Sequence, residues 1–148
     1  MNEQTNKKDP KNAISAELAQ DQVDLFLEFY DIDPEFFPES TDVAIEAHIS
    51  GLKKAIMRGR LSIQEKDESL IVVQRPARKG KNIPESLTYR ELEGSHKVAM
   101  SKAGSDDSYI RLHTLMGALS KEGADVMAKL RGCDMGDMEN LGNLFLLV

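Results

Sequence analysis

The chain has one cysteine, three histidines and no tryptophan in 148 residues. Cys133 alone cannot form an internal disulfide, which fits a reducing compartment. Aromatic residues make up only 5% of the chain against a hydrophobic share of 41%, so the core must be built from Leu, Ile, Val and Met. The longest apolar run, Leu144-Phe145-Leu146-Leu147-Val148, falls far short of the roughly 20 residues a bilayer-spanning helix needs. No membrane helix is expected. The first ten residues hold no apolar stretch, so no secretory signal is expected either. Phosphate-binding loops are missing too: there is no Gly-x-Gly-x-x-Gly and no Gly-Lys-Ser/Thr, and Gly117, Gly123, Gly132, Gly136 and Gly142 read as helix punctuation.

What is present is charge, unevenly spread. The net charge is −6. Residues 1–50 carry three bases against twelve acids, residues 51–103 twelve bases against six acids, and residues 104–148 four bases against seven acids. The middle third is therefore basic inside an acidic protein. That suits either a solvated loop or contact with an acidic surface, including the N-terminal third of another copy.

Periodicity divides the chain into a disordered leader (1–13), an N-terminal helical segment (14–60) and a β-hairpin with a helical cluster (61–148), the last two forming one compact domain. Leu18, Val23, Leu25, Phe26, Phe29 and Tyr30 recur at helical spacing from Ile14 to the residue before Asp31. Pro34 and Pro38 stop that helix, and Phe36-Phe37 between them is expected to plug a groove on the core. Ile45, Ile49, Leu52 and Ile56 form the apolar stripe of a second helix that begins near Thr41 or Asp42 and ends at Gly59. Alternation at Leu61 and Ile63, then the β-branched run Leu70-Ile71-Val72-Val73, predicts two strands joined by the turn Lys66-Asp67-Glu68-Ser69.

Pro76 ends the second strand, and Arg75 to Pro84 is expected to be a mobile basic loop. Thr88-Tyr89-Arg90-Glu91 has the capping-box pattern and predicts a helix from Thr88 to Lys102. Further helices are predicted from Asp107 to Leu119, from Lys121 to Arg131 with Ser120 as its cap and Gly132 as its stop, and from Asp134 or Asp137 to the end. The expected fold is mainly α with a small β-hairpin.

Chemistry leaves little trace. His48, His96 and His113 fall on three different predicted helices without a motif around them, and Cys133 has no Cys or His at ligand spacing, so all four read as structural. Asp31, Asp33, Glu35, Glu39 and Asp42 occupy positions 1, 3, 5, 9 and 12 of a calcium-type loop, but position 6 is Phe36 where Gly is required and position 4 is Pro34. No metal, cofactor or catalytic residue is assigned, and an enzyme is not expected. Arg75, Arg78, Lys79 and Lys81 are of the type that contacts a nucleic-acid backbone, but the negative overall charge and the lack of interleaved aromatics argue against it. Met100, Met116, Met127, Met135 and Met138 either fill core gaps or line an adaptable surface. The closing five residues are apolar on every face, so part of them is expected to dock on another chain.

From Leu61 to Val148 the sequence resembles the tail assembly chaperones of long-tailed bacteriophages. The resemblance rests on Leu70-Ile71-Val72-Val73-Gln74-Arg75-Pro76, Leu87-Thr88-Tyr89-Arg90-Glu91-Leu92, and the helical stretches Leu112 to Ser120, Val126 to Leu130 and Asp137 to Phe145. It departs from the family pattern in the basic loop Ala77 to Ser86, and residues 1–60 have no counterpart. It implies a non-enzymatic assembly factor of the host cytoplasm that binds tape measure or tail tube protein, or copies of itself as a homo-oligomer. Met116, Leu119, Met127, Leu141, Leu144 and Phe145 would supply apolar contacts, with Arg75, Arg78, Lys79 and Lys81 supplying electrostatics. The alternatives are a structural component of a phage particle (head, neck or tail) and a small nucleic-acid-binding regulator.

Overall fold

The computed structural model describes residues 12–36, 39–102 and 107–148. In chain order they form α1 (Ala16–Phe29), a 3-10 turn (Pro34–Phe36), α2 (Glu39–Met57), β1 (Leu61–Lys66), β2 (Ser69–Gln74), β3 (Leu87–Tyr89), α3 (Gly94–Lys102), α4 (Ser108–Ser120), α5 (Ala124–Lys129) and α6 (Cys133–Phe145). The fold is mainly helical, with one small antiparallel sheet in the order β1-β2-β3. No described helix is long and apolar enough to cross a membrane.

Both N-terminal helices form where the apolar stripes require. Ser15 caps α1 by accepting from the Leu18 N–H, and Ala19, Val23 and Phe26 are buried on one face. Gly59, at φ +81°, ends the turn after α2 in a left-handed conformation that suits glycine. Residues 1–11 of the expected leader lie outside the described residues. Its last two residues are held against the end of α2, where the Ala13 N–H donates to Met57 O at 2.7 Å and Arg58 donates to the Asn12 side chain.

The hairpin turns on Asp67 and Glu68, both at positive φ, and pairs Leu61 with Gln74 through to Lys66 with Ser69. Leu61, Ile63, Leu70, Val72, Gln74, Leu87 and Tyr89 share the buried face, and strand alternation puts Ser62, Ile71, Val73 and Thr88 on the other. Gln22 on α1 accepts from the Ile63 N–H at 2.8 Å, which covers part of the outer edge of β1.

Four expectations are corrected. Thr88 does not cap a helix: residues 87–89 form a third strand, with Val72 opposite Tyr89 and Gln74 opposite Leu87. The backbone groups a helix would have used find other partners, since Arg90 N–H donates to Leu119 O and Leu92 N–H to the Tyr30 hydroxyl. Strand pairing and burial of Tyr89 outweigh the local cap signal. Ser120 does not cap α5 either. Its hydroxyl donates to Gly117 O, Lys121 ends α4 in the left-handed region, and α5 spans only Ala124–Lys129. Gly132 stands at the start of α6 instead of stopping the helix before it. Phe36 is 86% exposed and plugs nothing; Phe37 lies outside the described residues.

Candidate partner-binding groove

One continuous apolar core runs from Ala19 on α1 through the sheet to Phe145 on α6. Met116, Leu119, Met127, Leu141, Leu144 and Phe145, expected as partner contacts, are all within it at no more than 1% exposure. In the folded chain Met116, Leu119, Met127, Leu141 and Leu144 are packing residues and line no groove, while Phe145 packs in the core and borders the groove described below. Met100 and Met138 are buried as well, leaving Met135 as the exposed one of that group. The terminal run divides: Leu144 and Phe145 are buried, Leu147 is partly buried against the core, and Leu146 and Val148 remain 39% and 38% exposed.

The basic loop is more ordered than its composition suggests. Asp134, fully buried at the first turn of α6, accepts from the Ala77 and Arg78 N–H groups at 2.8 and 2.9 Å through its two carboxylate oxygens. Its carbonyl accepts from the buried Gln74 amide at 2.8 Å, and Gln74 Oε1 accepts from the Tyr89 hydroxyl at 2.7 Å. Arg131 donates to Lys79 O at 2.7 Å. The loop backbone is therefore tied to the core while Arg75, Arg78, Lys79 and Lys81 stay exposed.

Beside this network, Arg60 pairs with Asp137 through contacts of 2.7 and 3.2 Å. The hydrogen bond to Asp137 raises the Arg60 pKa. Desolvation raises that of Asp137 despite the guanidinium, because the carboxylate is the more deeply buried partner and loses more hydration than the pairing returns. Burial likewise raises the Tyr89 pKa, keeping its phenol neutral. These groups satisfy one another and form a structural network.

The other candidates for chemistry stay apart. His48 Nδ1 is 3.0 Å from Asn140 Oδ1, His96 Nδ1 accepts from the Glu93 N–H at 2.9 Å, and His113 is half-buried on α4. Cys133, expected to be buried, is exposed at the start of α6, with its sulfur 3.9 Å from Asp134 Oδ1. In the acidic turn, Asp33 accepts from the Glu35 N–H at 3.0 Å and so starts the 3-10 turn. The side chains of Glu39 and Asp42 lie outside the described residues.

A groove of about 320 Å³ opens between α3, α4 and the end of α6. Met100, Leu115 and Phe145 form its floor, and Lys97, Arg111, Ser108 and Leu146 line its more exposed parts. Phe145 is held from behind by the rings of Phe26 and Tyr30, each centred 5.4 Å away. Lys97 donates to the main-chain oxygen of Val148, fastening the terminal turn beside the groove. An apolar floor under two cationic side chains can take an apolar group flanked by a carboxylate. Sequence reasoning missed Lys97 and Arg111. Their only signal is a cation three or four residues before a buried Met100 or Leu115, a pattern also found wherever a long side chain edges an amphipathic helix.

Comparison of the chain with protein-family models, with curated proteins and with solved structures finds no match.

Proposed function

We propose that this protein is a non-enzymatic assembly factor that holds a partner polypeptide in the groove between α3, α4 and the end of α6. The observation that carries this reading is the pairing of Lys97 and Arg111 with the apolar floor of Met100, Leu115 and Phe145 on a protein of net charge −6. An acidic body keeps a bound apolar partner from aggregating, and the two cations select segments in which apolar residues sit beside Asp or Glu. Together with the resemblance over residues 61–148, this favours a tail assembly chaperone-like role in the host cytoplasm, with a tape measure or tail tube protein as the partner.

Co-expression with tape measure and tail tube proteins, followed by size exclusion, tests the reading. A soluble complex is expected with one of them. Arg111→Glu should weaken it at least tenfold while leaving the circular dichroism spectrum unchanged; Lys97, which also holds the terminal turn, is kept. Failure to associate with either protein at low and moderate salt would remove the chaperone role. Recovery of the chain from purified particles at fixed copy number would assign it to the particle instead.

A further inference from the structure

We infer that copies of this chain associate head to tail, the exposed basic loop after β2 of one copy meeting an acidic stripe along α1 of the next. The inference is independent of the groove. Arg75, Arg78, Lys79 and Lys81 are exposed on a loop whose backbone is fastened by the buried Asp134 carboxylate, and Arg131 adds a fifth cation through its bond to Lys79 O. Fastening the backbone holds the cations near one another, so less backbone entropy is lost when a partner docks on them.

The complementary surface is on the same chain. Glu17, Asp21, Asp24 and Glu28 stand at successive spacings of four, three and four residues on α1, all exposed, opposite the buried face of Ala19, Val23 and Phe26. They form one acidic line about 16 Å long, at 1.5 Å per residue, and α1 contains no Lys or Arg. Among the described residues, none of these four acids forms an ion pair with any of the five cations, so the two surfaces do not neutralise each other within one copy; Arg75 also meets Ser62 Oγ at 3.5 Å and Asp24 accepts from the Gln20 amide at 2.9 Å. A second copy fits better than a nucleic acid, which the acidic stripe would repel and for which the loop offers no aromatic stacking platform. Two different surfaces meeting in this way give an open chain or a ring.

The test uses the full chain in sedimentation velocity. The wild type should assemble with increasing concentration at low salt and dissociate near 0.5 M salt, where screening reaches only about 4 Å. A variant with Arg78→Glu, Lys79→Glu and Lys81→Glu should be monomeric, as should one with Glu17→Lys, Asp21→Lys and Asp24→Lys. An equimolar mixture of the two should assemble again, since each then presents what the other lacks. A wild type that stays monomeric at low salt and high concentration would overturn the inference, as would a mixture that does not recover assembly from two folded variants. If either variant fails to fold, the salt and concentration dependence of the wild type decides the matter.

Discussion

Asp134 shows how one side chain ties a loop to a core. Its carboxylate is fully buried yet accepts from two backbone N–H groups of an exposed, basic segment, so its charge is met by peptide dipoles. Asp134→Ala should destabilise the fold by about 2–4 kcal/mol in urea titration, and amide exchange should rise at residues 77–79 before the rest of the sheet. Asp137 carries a pH signature. Because desolvation raises its pKa in the folded state, the native protein holds a proton that the unfolded chain has released, between the ordinary carboxylate value and the higher folded one. Stability from this group is therefore present below that window and lost as pH rises through it. The unfolding free energy of the wild type minus that of Asp137→Asn should fall as pH rises through the window and be flat above it. Neither role is legible in the sequence, where Cys-Asp-Met-Gly-Asp reads as a helix start and nothing marks Asp134 as the anchor of a loop 57 residues earlier.

Elements were legible where one helix face or one strand alternation carried the signal. The pairs Val23/Phe26 and Leu52/Ile56 and the alternation at Leu61/Ile63 each state a period and a buried side together, whereas Leu18, expected on the first stripe, is 55% exposed and Ala19 beside it is buried. The short elements were not. Thr88 to Glu91 satisfies a helix-capping pattern locally, but the strand partner that overrides it is Val72 to Gln74, and that pairing has no local trace. The close approach of α4 and α5 is similarly hidden in Gly117. A Cβ there would lie 2.4 Å from Gly123 C and 2.5 Å from Ala124 N, both backbone atoms that cannot step aside. At Gly142 the obstacle at 2.3 Å is Leu112 Cδ1, the end of a side chain that can change rotamer. Gly117→Ala should therefore destabilise by about 2–3 kcal/mol and more than Gly142→Ala, as read from thermal or urea unfolding.

The molecule as a whole has one core. Phe26 and Tyr30, from the segment with no counterpart in the resembled family, meet Phe145 edge to face near the far end of the chain, and α2 lies against α6 so closely that a Cβ on Gly51 would overlap the Asn140 side chain. Residues 61–148 alone would expose the side chains that α1 and α2 cover. That fragment should lack a cooperative thermal transition, whereas the full chain should unfold in a single one, both measurable by calorimetry. The sequence by itself determined the aliphatic core, the helical majority, the hairpin and the division of charge along the chain, because each follows from residue type and short-range spacing. Only tertiary structure decided which apolar residues remain accessible, that a basic loop is anchored from beneath, and that Lys97 and Arg111 border one groove, because burial and juxtaposition depend on partners distant in the chain.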